Sequence, residues 1–463
     1  MSSFALSRSL YYCRAAALVG ALLLVLTDAA QAQPPMYRWQ ALPTAPSNGQ
    51  KQDDVFFLDA RNGWAVNGSG KIHRTRDGGQ SWGMQLNQPG TYFRCIGFTD
   101  SLNGFAGNIG PNYFPGVTDA VPLYRTQDGG QTWAPVTQIT GPRPTGLCAI
   151  DVVSAQVLYA AGRVGGPAHF LRSTDGGQTW TSRSLSTQIR MITDVRFLSA
   201  DTGFVFGGSN ANIQLSHGIV LYTTDGGTTF TEVYRSANTF EMVWKASFPS
   251  RRTGYLTLLS YAPNVPARFV GKTTDGGLTW QELPFTTNGC KAFGVGFADD
   301  STGWIGTDTG TGYETRDGGQ TWQSSTVGRF INKVRLIRDG VTGQLTAGYA
   351  IGLNLTKLQL QPAPTAIADL IPVSSTRLRL TVAPNPATRQ LTVRYELSRR
   401  QRVTLVLTDA AGRILATVLS NAVRGPGEHS ETYQLPASLS SNVAWYTLQA
   451  EEGRSSTAVS IQP

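Results

Sequence analysis

An all-β fold of repeated four-stranded units is what this sequence predicts, and three observations carry it. The string "RTRDGGQSW", Arg74 to Trp82, returns as "RTQDGGQTW", "RSTDGGQTW", "YTTDGGTTF", "KTTDGGLTW" and "ETRDGGQTW". A second motif runs in phase with it: "FLDARNGW", "FTDSLNGF", "FLSADTGF", "FPSRRTGY" and "FADDSTGW", with "VVSAQVLY" in the third unit. Between them lie short alternating stretches without helical period, in a chain of 463 residues with 51 Gly and only 15% charged residues. That is the texture of short strands joined by many turns. The repeated aspartates fall 51, 47, 50, 50 and 42 residues apart, the period of four-stranded propeller blades.

The first element is a targeting segment. Arg8 and Arg14 precede the apolar run "AAALVGALLLVL", and "AQA" ends at Ala32. The run is short for a membrane anchor and the small-residue site is well placed, so residues 1–32 read as a signal peptide. Cys13 lies before the run, whereas a lipoprotein cysteine follows it. Cleavage leaves Cys95, Cys148 and Cys290, which read as buried free thiols; an oxidising compartment allows a disulfide without demanding one. No other segment is long and apolar enough to span a bilayer.

Residues 33–360 hold the repeat. In each unit strand 1 ends near the Phe, strand 2 opens at the next aromatic, strand 3 ends at the D-G-G box, and strand 4 starts at its aromatic. The boxes alone give six blades, the fallback count. A seventh is assembled from "KVRLIRDGVTG", "QLTAGYAIG" and "LNLTKLQL", with "MYRWQAL" from the N-terminal side as fourth strand. That closes the ring and removes an open edge, so the prediction is a seven-bladed β-propeller.

Each box has a structural job. Its glycines allow the positive φ of a tight hairpin, and its carboxylate accepts backbone N–H groups of its own turn. Its aromatic packs between blades. The residues concerned are Asp77 and Trp82, Asp128 and Trp133, Asp175 and Trp180, Asp225 and Phe230, Asp275 and Trp280, and Asp317 and Trp322. Six carboxylates in six blades lie too far apart for a catalytic pair, and one acid per loop does not make a calcium loop.

The 3–4 loops that carry the boxes share a face with the 1–2 loops. The 2–3 loops and the links between blades share the opposite one. Insertions in the 2–3 loops of blades 2, 4 and 5 make that second face the place to look for a ligand. Arg94, Tyr113, Phe114, Arg190, Trp244, Lys245, Tyr261 and Arg268 are the candidate contacts. The aromatic members serve equally well as a lid packed on itself, and the charges as solvated or locally paired groups.

The pattern [ST]-x-D-G-G-x-[ST]-W resembles the Asp-box, or bacterial neuraminidase repeat. It occurs in sialidases, xyloglucanases, sortilin-type receptors and the photosystem II assembly factor family. Combined with F-x-D-x-x-x-G-W it looks most like the last, which implies a seven-bladed propeller over roughly residues 37–360. The sialidase resemblance stops at the boxes: no R-I-P occurs, and "FRCI" at Phe93–Ile96 lacks the Pro. The double propeller of xyloglucanases does not fit one ring. His73, His169, His217 and His429 are scattered, and no HExxH, G-x-S-x-G or phosphate loop is present. No catalytic residue, metal or cofactor is expected.

Residues 361–374, Pro- and Ala-rich, read as a linker. Residues 375–463 alternate as a small β-sandwich. Pro384, Asn385 and Pro386, then Asp409, Gly412 and Arg413, make this part similar to the type IX secretion C-terminal sorting domain. A Gly-x-Tyr usual there is replaced by "SLSSNVAWYTL", and the last strand lacks its common Lys. The resemblance implies export to the outer surface of a Gram-negative bacterium or beyond it. The middle of the chain carries only +4 of the net charge of +9 and no basic run, so nucleic acid is not an expected partner. The sequence-level expectation is a secreted or cell-surface monomer that binds a glycan or another surface partner and meets the type IX machinery. Its alternatives are a sialidase-like glycoside hydrolase and a structural or adhesive surface protein.

Overall fold

The computed structural model describes residues 36–47, 52–263, 265–339, 342–361, 380–408, 414–435, 443–450 and 453–461. The signal-peptide reading of 1–32, the linker at 362–374, and Asp409, Gly412 and Arg413 lie outside these. The chain divides into two compact units between Thr365 and Ala366.

The first unit is a β-propeller of seven sheets. Its innermost strands are Gln52–Phe57, Phe93–Phe98, Ala149–Val152, Met191–Phe197, Glu241–Ser247, Ala292–Phe297 and Lys333–Arg338. Each packs on the next, and the last packs back on the first. Every sheet is an antiparallel meander of four strands; the third also carries Ile139–Thr140, paired parallel to its outer edge. The seventh takes its outer strand from the N-terminal side: Met36–Ala41 pairs antiparallel with Leu355–Gln361, Met36 opposite Gln361 and Ala41 opposite Thr356.

The two repeated motifs meet in one packing unit. The Phe that ends strand 1 lies flat on the strand-2 aromatic of the preceding blade. Phe57 stacks on Tyr349 at 3.5 Å, Phe98 on Trp64 at 3.6 Å, Phe197 on Tyr159 at 3.5 Å and Phe297 on Tyr255 at 3.5 Å. The box aromatic of its own blade meets it edge-on, as Trp82 meets Phe57 at 6.1 Å and Trp133 meets Phe98 at 6.0 Å. Stacked and T-shaped pairs are the favoured geometries. This explains the Gly six residues after each Phe. A Cβ on Gly63 would lie 2.4 Å from the Phe57 ring, and Gly104, Gly203, Gly254 and Gly303 face their Phe rings in the same way. In blade 3 the pair is lost together: Val152 stands opposite Leu158, with neither Phe nor Gly.

The D-G-G turns are held by a repeated set of hydrogen bonds. In blade 1 the Thr75 hydroxyl donates to Asp77 Oδ1 (2.8 Å) and accepts from the Gly79 amide (2.8 Å). The Ser81 amide and hydroxyl donate to the two carboxylate oxygens at 2.9 and 2.5 Å. The Gly78 amide, with φ 73°, donates to Arg61 O in the 1–2 turn at 2.8 Å. The same clamp ties the 3–4 turn to the 1–2 turn in each of the other five boxed blades, so both turns share one face. Bonds from Thr132 and Thr279 hold Asp128 and Asp275 down to about 2. Slight burial pushes Asp175 and Asp317 up, but Thr179 and Thr321 outweigh it, again to about 2. Ser81 and Thr229 likewise hold Asp77 and Asp225 below the usual carboxylate range.

A carboxyl depressed in the folded state contributes stability that is present above its unfolded pKa and lost as the pH falls through the folded one. The propeller should therefore lose thermal stability between about pH 4 and pH 2. Asp→Asn changes at several boxes should shrink that acid loss in melts followed by circular dichroism. An unchanged acid limb would assign the loss to other carboxylates.

The second unit is a two-sheet sandwich. One sheet orders Leu380–Ala383, Gln390–Leu397 and Gly427–Gln434; the other orders Ile414–Arg424, Gln401–Thr408, Val443–Ala450 and Gly453–Ser460. Leu391, Val393, Leu405, Leu407, Tyr446 and Leu448 fill its core. Asn385 joins the unit's two ends, donating to Ala458 O at 3.1 Å and accepting from the Ser460 amide at 2.9 Å; Pro386 follows it.

Candidate functional site

The innermost strands carry charge where a two-sided buried strand is expected to be apolar. "TDVRF" (Thr193–Phe197) and "KVRLIR" (Lys333–Arg338) alternate charged and apolar residues, so alternate side chains point into the central channel. The charges cross it. Lys333 of blade 7 reaches Asp194 of blade 4 at 3.1 Å, and Lys245 of blade 5 lies 3.5 Å from the same oxygen. The Lys245 ammonium also donates to Thr193 O at 2.6 Å. Burial drives Lys245 down to about 8, with Asp194 opposing the shift. Burial pushes Asp194 up, yet the two lysines outweigh it and hold the carboxyl low. One carboxylate between two ammonium groups is the geometry of an ionised Asp194.

A second crossing lies beside the first. The Trp244 indole N–H of blade 5 donates to Asn332 Oδ1 of blade 7 at 3.1 Å, and the Asn332 amide donates to Asp53 O of blade 1 at 2.7 Å. Arg94 of blade 2 pairs with Asp53 and lies over the Trp244 ring, 5.1 Å from its centroid. These bridges span the ring.

The crossings decide the fate of the eight contacts expected from sequence. Arg94, Trp244, Lys245 and Arg268 are buried. Arg94 and Lys245 are spent on ion pairs, because a buried charge needs a partner. Arg268 donates to Ala267 O and Gly289 O, both at 3.1 Å, tying its loop to the next link. Tyr113 and Phe114 pack edge to face at 4.7 Å, Phe114 stacks on Tyr92 at 4.9 Å, and Arg163 covers Tyr113. Tyr113 thus belongs to a lid over the channel, together with Ile109, Val117, Met191, Trp244 and Phe293. Arg190, Phe114 and Tyr261 remain exposed, with Lys291 over the Tyr261 ring. Cys95, Cys148 and Cys290 are buried free thiols. Among the described residues no group of His, Cys, Asp and Glu is placed to hold a metal ion.

The D-G-G turns surround one end of the channel. There a cavity of 340 Å³ is lined by Asp151, Asp194, Arg196, Lys333, Arg335 and Arg338, with Phe248 and Pro249 at the 1–2 turn. Arg196 pairs with Asp151 at 3.0 Å while its side chain stays 42% exposed. Arg335 lies 3.4 Å from Asp54, and Arg338 donates to the carbonyls of Phe297 and Ala298. Four cations against two acids leave the cavity positive. None of these cations was singled out from sequence. The signal that finds them is the alternation of charge inside an innermost strand.

No protein-family model matches the chain. It is similar to the photosystem II assembly lipoprotein Ycf48 of Synechococcus sp. (strain CC9902), 26% identical over 283 residues, covering 59% of this chain and 75% of that one. Among solved structures, Ycf48 from Cyanidioschyzon merolae superposes with a TM-score of 0.52 at 16% identity, over 70% of this chain and 99% of that one. Ycf48 bound to D1 peptide gives 0.50 at 16% identity, over 70% and 96%. The WD40 repeats of RRP9 give 0.50 at 9% identity, over 71% and 100%.

These similarities correct three expectations. A secreted or surface propeller binding a glycan, with hydrolase or adhesin as alternatives, gives way because the similar proteins are assembly factors. Type IX machinery and glycans give way as partners, because the similar structure holds a D1 peptide. Location at the outer surface or beyond gives way, because the similar curated protein is a photosystem II assembly lipoprotein. The chain is a β-propeller protein that resembles the photosystem II assembly factor Ycf48.

Proposed function

We propose that the propeller is a non-catalytic peptide-binding module of assembly-factor type, which holds a segment of a partner protein at the D-G-G face. The observation that carries this is the positive 340 Å³ cavity at the D-G-G end of the channel. Supporting it is the similar propeller described as bound to a D1 peptide. In this reading the six turns are Asp-box repeats that brace the rim. Arg196 and Arg338 receive acidic groups of the peptide, Arg338 by planar hydrogen bonding and Arg196 at the exposed edge.

Anisotropy of fluorescent acidic peptides tests the reading, with neutral peptides of equal length as control. Acidic peptides should bind more tightly, and Arg196→Glu or Arg338→Glu should raise Kd by about tenfold or more, the effect of a close charge reversal. Equal binding of both peptide classes, or charge reversal without effect, would discard the cavity as the site.

A further inference from the structure

The face opposite the cavity has a composition of its own. It is built from the 2–3 loops and the links between blades. In these segments the described charged residues are Arg143, Arg163, Arg190, Lys291 and Arg329 against Asp119 and Asp308. Neither acid is free. Asp119 accepts the hydroxyls of Thr91 (2.6 Å) and Tyr124 (2.7 Å) and the Val121 amide (2.8 Å). Asp308 is paired with Lys291 at 3.1 Å. On the D-G-G face the six box aspartates are joined by Asp59, Asp100, Asp201, Asp299, Asp300 and Asp339 in the 1–2 turns, with arginines interleaved. The insertion face is thus rich in cations, five against two acids, whereas acids and arginines are interleaved on the D-G-G face.

The cationic face also exposes large apolar side chains at its loop tips. Phe114 is 42% exposed, Leu215 61%, Tyr261 44% and Val265 46%. They come from the inserted loops of blades 2, 4 and 5. The loops of blades 2 and 4 are anchored together, since Tyr113 and Ile213 pack on the Trp244 cluster. Apolar side chains on raised tips do not form a groove for a helix or strand. On a face where cations outnumber acids, they match a surface that is apolar beneath and anionic above, which is the interface of a bilayer with acidic headgroups.

We infer that the insertion face is a membrane-docking surface that seats Phe114, Leu215, Tyr261 and Val265 in the interface of an anionic bilayer. Arg190 and Arg329, both exposed, lie at the headgroups. The peptide cavity then faces away from the membrane. The inference stands on this face alone and does not depend on what the cavity binds.

Its test uses a fluorophore sensitive to polarity. Leu215→Cys on the docking face and Leu278→Cys on the D-G-G face are labelled in the full chain with Cys13→Ser, the other native cysteines being buried. Both positions are exposed, so neither change endangers the fold. With phosphatidylglycerol vesicles the label at 215 should brighten severalfold and be quenched by doxyl lipids, while the label at 278 stays unchanged. Phosphatidylcholine vesicles should give a much smaller response. Arg190→Glu with Arg329→Glu, or added salt, should weaken the response, as screening of a surface charge requires. No change at 215, or equal change at 278, would overturn the inference; so would a response at 215 produced by a second protein copy without vesicles.

Discussion

Asp194→Ala should destabilise the propeller by about 3–5 kcal/mol, the usual cost of leaving buried charges without their partner. The carboxylate is 2% exposed and receives both Lys245 and Lys333. Its removal leaves two ammonium groups facing each other across the channel. Urea unfolding at neutral pH measures the loss as a lower midpoint. Replacing the set together, with Asp194→Leu, Lys245→Met and Lys333→Met, should recover most of it, because an apolar trio has no charge to strand. A single variant no weaker than wild type would show that the crossing is hydrated and carries little. The pH dependence separates the partners. Lys245 titrates near 8 when folded, below its unfolded value, so above about pH 8 the folded state holds fewer protons. Its contribution to stability rises from there toward about pH 10. Asp194 is depressed, so its contribution is present above about pH 4 and is lost as the pH falls further. Lys245→Met should flatten the alkaline rise and leave the acid loss in place.

Trp304→Ala should cost about 3–5 kcal/mol as a large-to-small change in a packed core. Trp304 is fully buried, and its indole N–H donates to Glu314 Oε2 at 3.0 Å. Its ring supports the last blade: Tyr37 and Trp39 of the N-terminal strand meet it edge-on at 5.2 and 5.4 Å. The loss should therefore be local before it is global. Hydrogen exchange should accelerate first at residues 36–41, while the amides of Met191–Phe197 keep their protection. Trp304→Phe should restore most of that protection. Uniform acceleration throughout the ring would mean that strand closure does not depend on this contact.

The ring was legible because its repeat is written twice. D-G-G demands a turn, and Phe with a Gly six residues later records a ring lying on a backbone that has no Cβ. Even the exception in blade 3 obeys that rule. The seventh blade has no box, yet "MYRWQAL" reads as a strand at the right distance. The candidate site was harder to read. Sequence spacing marks which loops are long, and so it led to Tyr113, Phe114 and Tyr261. It does not mark which charges meet across a channel. Arg94 and Asp53, or Lys333 and Asp194, are far apart in sequence and on different blades, so their pairing appears only when the ring closes. Arg196, Lys333, Arg335 and Arg338 were hidden for the same reason: in a strand, an inward charge and an outward one look alike until the inner side is known. The functional expectation failed on different grounds: the propeller motifs already looked most like the assembly factor family, but the expected surface role followed the likeness of the C-terminal part to a sorting domain, and one propeller architecture serves many ends.

The N-terminal strand sets the order in which this protein can be made. Met36–Ala41 leaves the ribosome before any blade, yet its partner, Leu355–Gln361, emerges after all of them. Blades 1 to 6 can form in turn as they are synthesised, each from contiguous chain. The first-made strand must meanwhile wait unpaired across more than 300 residues. Until residue 361 is out, the nascent ring has an open edge at blade 7 and a loose strand that fits it. During that interval the chain is exposed to pairing with a neighbour's strand. Closure is therefore a late and slow step, and factors that shield Met36–Ala41 during synthesis would act on yield without changing the finished molecule.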